Sequence, residues 1–263
     1  METHISMIFK IMDRFRKRPL LAAEAGIYIN GHRQRPLYKP GGYFIFTDLA
    51  PGETCFQISA PAFQQEALIA LISAPGKGYL HSHLLLNPSP AYPFGSEVTT
   101  VRGRLWQDQR PYAHGHFYLI PGEGGEVMKV AEDKGEAGNT RLRLFAAVPE
   151  RQLSFPGKYL IKDKDKGKGE VCLITRKDSR EGMFLLEKEL QFSHVRGTPL
   201  VEVIECRTEE DGSFFAALPE LKQEKLTLSL LGKGPDEKNM TQGGVKTMEI
   251  HGGQANDLGD IQI

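Results

Sequence analysis

An all-β protein of two small β-sandwich domains, preceded by a short N-terminal helix or arm, is the fold class that the 263-residue sequence predicts. Two observations predict it. A pattern of turn, short aromatic strand, leucine, second turn and alternating strand occurs twice. Lys39-Pro40-Gly41-Gly42-Tyr43-Phe44-Ile45-Phe46-Thr47-Asp48-Leu49 runs into Ala50 to Ser59, and Glu209-Glu210-Asp211-Gly212-Ser213-Phe214-Phe215-Ala216-Ala217-Leu218 runs into Pro219 to Leu230. In both copies period-two alternation sends one set of side chains to a core and the other to solvent, while glycine and proline reverse the chain. The remaining apolar runs are mostly short and bounded by turn residues, as a sandwich requires.

Residues 1–18 stand apart. Met7, Ile8, Ile11, Met12 and Phe15 fall at helical spacing, with Lys10, Arg14, Lys17 and Arg18 around them, before Pro19 marks a boundary. A basic amphipathic arm is expected here, and Ile8, Ile11, Met12, Phe15, Arg14, Lys17 and Arg18 are its candidate partner-binding residues. Residues 19–86 are expected to form the first domain, with strand-like runs from Gly26, Tyr43, Cys55, Ala67 and His83 and turn signals at Asn30-Gly31-His32 and Pro40-Gly41-Gly42. Residues 87–98 read as a linker, because Pro88, Pro90 and Pro93 exclude a helix interior or a central strand. Residues 99–263 are the expected second domain. Its strand-like runs outnumber those of a minimal sandwich, so an insertion is expected around 121–197. The run Lys162 to Glu170 alternates in sign and reads as a solvated hairpin tip.

Charge excludes some partners. Lys plus Arg number 33 and Asp plus Glu number 33, so no overall field draws the chain to nucleic acid or an anionic membrane. A hydrophobic share of 40% suits two modest buried cores. Cys55, Cys172 and Cys206 are widely spaced, lack a CxxC pair and sit in strand-like runs. That argues against a disulfide framework or a thiolate zinc site and fits a reducing, cytoplasmic setting. No apolar run approaches the roughly 20 residues needed to span a bilayer. Leu20-Leu21-Ala22-Ala23, behind the basic cluster, is shorter than a signal-peptide core of about 7–15 residues.

Several phrases carry a family resemblance. Val101-Arg102-Gly103-Arg104-Leu105, Asp211-Gly212-Ser213-Phe214, Leu218-Pro219-Glu220-Leu221 and the closing Asn256-Asp257-Leu258-Gly259-Asp260-Ile261-Gln262-Ile263 resemble the carboxypeptidase regulatory-like domain. Arg35-Pro36-Leu37, Gly42-Tyr43-Phe44-Ile45-Phe46 and Asp48-Leu49-Ala50-Pro51-Gly52-Glu53 look like a diverged copy. The resemblance implies a transthyretin-like or immunoglobulin-like seven-stranded sandwich that is a non-catalytic attachment or assembly module. The phrase Asn87-Pro88-Ser89-Pro90-Ala91-Tyr92-Pro93-Phe94, running into Val101-Arg102-Gly103, is similar to proteins encoded with phage-tail-like contractile injection systems.

Candidate chemistry is sparse. His81-Ser82-His83 and His114-Gly115-His116 each place two imidazoles on one side of a strand, a spacing at which both could reach one metal ion. Neither continues into HxHxDH, and HExxH, GxSxG and phosphate-loop patterns are absent. The glycine-rich Gly122-Glu123-Gly124-Gly125-Glu126 is acidic and would repel phosphate. The expected function is therefore a non-enzymatic structural or adaptor protein, without metal or cofactor, whose partners are other protein subunits of an assembly. Two alternatives are a carbohydrate- or surface-binding module using Tyr92, Phe94, Trp106, Tyr112, Phe117 and Tyr118, and a metal-dependent hydrolase using the HxH pairs. Phe44, Phe46, Phe214 and Leu218 are expected in the sandwich cores because they occupy the repeated strand.

Overall fold

The computed structural model describes residues 3–121, 126–132, 134–148, 153, 155–164, 168–180, 182–218, 225–232 and 246–263. The chain divides into two compact units, Met1–Pro93 and Phe94–Ile263. The described residues form strands and turns, with no α-helix.

The first unit contains β1 (Ile5–Asp13), β2 (Arg18–Pro19), β3 (Gly26–Ile29), β4 (His32–Gln34), β5 (Leu37–Lys39), β6 (Tyr43–Thr47), β7 (Gly52–Ser59), β8 (Glu66–Ile72) and β9 (Leu80–Leu86). One sheet has the order β5-β6-β1-β9, with β2 pairing the end of β1 and β9 running parallel to β1. The other, all antiparallel, has the order β4-β3-β7-β8. Alternate residues of both sheets meet in one core: Met7, Phe9 and Ile11 of β1, Phe44 and Phe46 of β6, Ile27 of β3 and Phe56 and Ile58 of β7. Phe9, Phe46 and Phe56 pack edge to face with ring centroids 5.0–6.0 Å apart.

The expected N-terminal helix is not formed. Residues Ile5–Asp13 are a strand, paired with β6 and with β9. Its inward face, Met7, Phe9 and Ile11, is buried, and Ile8 and Met12 make the other face partly apolar, so the run contains helical spacings by chance. Phe9, which lies outside the supposed helical stripe, is fully buried.

The second unit contains β10 (Thr100–Gln107), β11 (Arg110–Pro111), β12 (His116–Pro121), β13 (Glu126–Val130), β14 (Lys134–Gly135), β15 (Arg141–Ala146), β16 (Gly157–Ile161), β17 (Glu170–Lys177), β18 (Met183–Leu186), β19 (His194–Val195), β20 (Pro199–Glu202), β21 (Ile204–Arg207), β22 (Ser213–Ala217), β23 (Lys225–Gly232), β24 (Lys246–His251) and β25 (Ala255–Gln262). One sheet has the order β25-β10-β22, with β11 pairing the end of β10 and β25 running parallel to β10. The other has the order β21-β12-β23-β24. Val101, Leu105, Phe117, Leu119, Phe214, Leu218 and Ile261 lie in the core of this sandwich. All four residues expected in the cores, Phe44, Phe46, Phe214 and Leu218, are buried.

The two sandwiches have the same topology. β10, β11, β12, β21, β22, β23, β24 and β25 take the places that β1, β2, β3, β4, β6, β7, β8 and β9 hold in the first unit. The correspondence reaches single hydrogen bonds. Ile11 N–H donates to the Gly42 carbonyl and Leu20 N–H to that of Ile11; Leu105 N–H donates to the Gly212 carbonyl and Tyr112 N–H to that of Leu105. Gly42 and Gly212 both have positive φ, 80° and 77°. A Cβ would lie 2.5 Å from the Ile11 oxygen at the first and 2.6 Å from the Leu105 oxygen at the second, so both positions require glycine.

The copies differ most between β12 and β21. In the first unit β3 and β4 are joined by the two-residue turn Asn30-Gly31, both at positive φ as a type I′ hairpin demands. In the second, the corresponding hairpin opens and β13 to β20 are inserted. Six of these strands close into a barrel of order β13-β15-β18-β17-β16-β20, and β14 and β19 form a separate ladder. Met128, Val130, Leu142, Tyr159, Ile161, Ile174, Phe184 and Leu200 fill the interior, as a barrel this narrow requires. The insertion leaves and rejoins through neighbouring strands, since Leu119 pairs with Ile204. That closeness of its two ends lets a whole module enter without disturbing the sandwich.

Candidate functional site

The residues expected to act as an N-terminal arm are built into the first unit. Ile11 and Met12 are buried, and Ile8 is half-buried opposite Ile45 of β6. The chain turns at Arg14 to Lys17, with Lys17 at a φ of 54°, and returns as β2. Arg14 donates to Asn87 Oδ1 at 3.3 Å, and Phe15 packs edge to face on Tyr92. Arg18 holds Glu24 through two hydrogen bonds of 2.6 and 2.8 Å, and this pairing lowers the Glu24 pKa and raises that of Arg18. Below them lies Asp13, fully buried, which accepts from the Tyr92 hydroxyl at 2.5 Å and from Arg16 N–H at 2.9 Å. Burial, and then the Asp13 carboxylate, push the Tyr92 pKa upward. Pro88, Pro90 and Pro93 thus lie beside a segment tied down by polar bonds to β1 and its turn.

The two HxH pairs fare differently. His81 and His83 share one side of β9, with ring centroids 4.6 Å apart, and His81 lies 6.3 Å from the Tyr43 ring. His114 departs from the expected strand: it sits in the turn before β12 at a φ of 52°, while His116 belongs to β12. Among the described residues no group of three or more His, Cys, Asp or Glu side chains is placed to hold one metal ion.

His116 instead joins a chain of polar and charged groups between sandwich and barrel. Arg207 Nε donates to His116 Nε2 at 3.2 Å, and His116 Nδ1 lies 3.6 Å from Glu205, which also pairs with Lys158 of β16. Burial pushes the Glu205 carboxyl up, but His116 and Lys158 outweigh it and hold the group well below the usual carboxylate range. Tyr118, Leu160, Val201 and Val203 cluster where sandwich and barrel strands meet.

A second constellation, which sequence reasoning missed, lies at the barrel. His194 is fully buried, with Nδ1 2.9 Å from Asp163 Oδ2 and Nε2 2.8 Å from Glu170 Oε1. Glu170 also accepts from the N–H groups of Gln191 and Phe192. The run expected as a solvated hairpin tip therefore sends both of its end carboxylates inward. Its Asp165, Lys166 and Gly167 lie outside the described residues, as do Gly122 to Gly125 and Pro219-Glu220-Leu221. Burial lowers the His194 pKa, but the two carboxylates more than compensate, and the net shift is upward. An imidazolium donating through both nitrogens has no lone pair for a metal or a substrate proton. The arrangement clasps two loops. The partners lie 31 and 24 positions from His194 along the chain, so no local motif could have signalled it.

The other reactive groups are similarly retired. Cys172 and Cys206 are buried free thiols, and burial together with Glu170 pushes Cys172 up to about 12. Of the aromatic residues considered for sugar binding, Tyr92, Phe117 and Tyr118 are buried and Tyr112 packs on the second sandwich core. On the outer face of β15 Arg141, Arg143 and Phe145 alternate, Asp178 interacts with Arg141 and Arg180, and an open cleft of about 610 Å³ is lined by Ala131, Arg143, Leu144, Arg180 and Gly182.

No family model matches the chain, and no curated protein sequence does. Among solved structures, the chain is similar to the major pilin subunit BcpA of Bacillus cereus at 7% identity over 94% of this chain and 67% of that one, with a TM-score of 0.25. It is similar to a variant of the shaft pilin SpaA from Lactobacillus rhamnosus GG at 8% identity over 98% and 96%, with a TM-score of 0.25. A third similarity is to the Bacillus anthracis TIE protein, at 12% identity over 99% of this chain and a TM-score of 0.26; the chain spans 51% of that protein. Scores this low carry no argument about role. The carboxypeptidase regulatory-like resemblance and the injection-system phrase gain no support from these comparisons.

Proposed function

We propose that this chain is a non-enzymatic structural protein acting by protein–protein contacts, in which a tandem pair of sandwiches holds up an inserted barrel for a partner. One observation carries the reading: a hairpin that closes in two residues in the first sandwich opens in the second to display a closed barrel whose strand β15 presents Arg141 and Arg143. The barrel's most buried ionic groups are engaged with one another, which suits a rigid platform better than a site of turnover. A partner surface bearing carboxylates fits Arg141, Arg143 and Arg180. The free thiols of Cys55, Cys172 and Cys206 suit a reducing, cytoplasmic setting.

The finer setting proposed is an accessory or cap-associated component of a phage-tail-like contractile injection apparatus, and it rests on the Asn87 to Phe94 phrase. Cross-linking in the native cell followed by mass spectrometry tests both levels. Cross-links from barrel lysines such as Lys129 to a tube, sheath or baseplate protein are the expected outcome. Cross-links to another class of protein would retain the scaffold and discard the apparatus. A chain recovered without any partner, and turning over a substrate in a manner lost on His81→Ala/His83→Ala, would overturn the proposal.

A further inference from the structure

The internal duplication supplies its own control for one surface. β8 and β24 are equivalent strands, each ending its sheet, and among the described residues each pairs on one side only. Natural sheets guard such edges with charge, because open N–H and C=O groups beside apolar side chains invite another strand. β24 is guarded: Lys246, Thr247, Glu249 and His251 are its exposed residues. β8 carries a charge only at its first residue, the half-buried Glu66. Its exposed residues are Ala67, Ile69 and Leu71, the last two 67% and 72% accessible, and no charge occurs from Ala67 to Ile72.

We infer that β8 is a self-association edge, at which two copies of this chain join antiparallel across a two-fold axis through Ile69. The occupant is chosen by the strand's own sequence. Antiparallel pairing centred on Ile69 sets Ala67 opposite Leu71 and Leu68 opposite Ala70, small against large at every step, with Ile69 facing itself. A two-fold contact must be self-complementary, and this one is, in volume and in charge: the two Glu66 residues lie at opposite ends of the ladder, each opposite Ile72, so no ionised group opposes another. The four strands β4-β3-β7-β8 would become a continuous eight-stranded sheet, with Ile69 and Leu71 of both copies forming one apolar stripe on its outer face. Seven residues a side fall well short of the roughly 20–30 of a standard interface. The dimer is therefore weak. The inference does not depend on what the barrel binds.

Sedimentation equilibrium of the full chain from about 1 to 300 µM reads it. The average mass is expected to rise from 29.3 kDa towards twice that value. Ile69→Lys/Leu71→Lys is expected to remain monomeric with an unchanged melting temperature, since both positions are exposed. In a Cys55→Ser background, Ile69→Cys is expected to oxidise to a disulfide-linked dimer, whereas Glu249→Cys, on the guarded edge, is not. A wild-type chain that stays at 29.3 kDa across the range overturns the inference, as would a different protein capping β8. So would undiminished dimerisation of the double lysine variant. Equal cross-linking at positions 69 and 249 would reduce the contact to random collision and overturn it too.

Discussion

His194 sets the behaviour of the barrel at the scale of single residues. Its folded pKa is raised above the unfolded value of about 6.5, so its contribution is complete below that pH and is lost as pH rises through the folded value. Glu205 acts with the opposite sign. Its folded pKa is depressed, so its contribution is present above about 4.3 and is lost as pH falls through the folded value. The second unit should thus be most stable between about pH 4.5 and 6.5. Thermal unfolding of residues 94–263 is expected to shift down on going from pH 5.5 to pH 9. His194→Gln should lower stability at pH 5.5 and flatten that alkaline slope, because glutamine keeps hydrogen bonds but not the charge. An unchanged slope in the variant would show that another group governs it. Nothing near position 194 announces this role, since a lone histidine acquires partners only when distant loops converge.

At the scale of elements, β1 decides the first unit. It lies between β6 and β9 and contributes Met7, Phe9 and Ile11 to the core, and Asp13 at its end anchors Tyr92. Deleting residues 1–18 is expected to abolish the cooperative unfolding transition of a fragment spanning residues 1–93. Ile11→Asp should do nearly the same, by placing an unpaired carboxylate at a fully buried site. Retention of the transition by either variant would return this segment to the status of a dispensable arm. The period-two set Met7, Phe9, Ile11 was visible in the sequence, yet the helical set Met7, Ile8, Ile11, Met12 competed with it. Ser6, Ile8 and Lys10 on the other face are only half-buried, but the apolar Ile8 and Met12 on that face blur the alternation that distinguishes strand from helix. The repeated strands β6 and β22 were legible because each keeps a glycine turn before it and a compact aromatic run, Tyr43 to Phe46 in one and Phe214-Phe215 in the other.

At the scale of the whole molecule, duplication and insertion make a testable pair. Replacing residues 120–203 by Asn-Gly, the turn already used between β3 and β4, should leave a second sandwich that folds with β12 and β21 as a closed hairpin. Circular dichroism and a single thermal transition would verify it; an unfolded product would mean that the barrel is needed to hold the sandwich together. The sequence by itself determined the all-β class, the strand–turn–strand pattern that recurs in both halves and the turn glycines, because alternation and backbone sterics act over a few neighbouring residues. The strand identity of the N-terminus, the closure of the barrel, the clasp of Asp163, His194 and Glu170, and the contrast between the edges β8 and β24 were decided only in three dimensions. Each depends on which distant strands become neighbours, a matter of shared burial that no local pattern encodes.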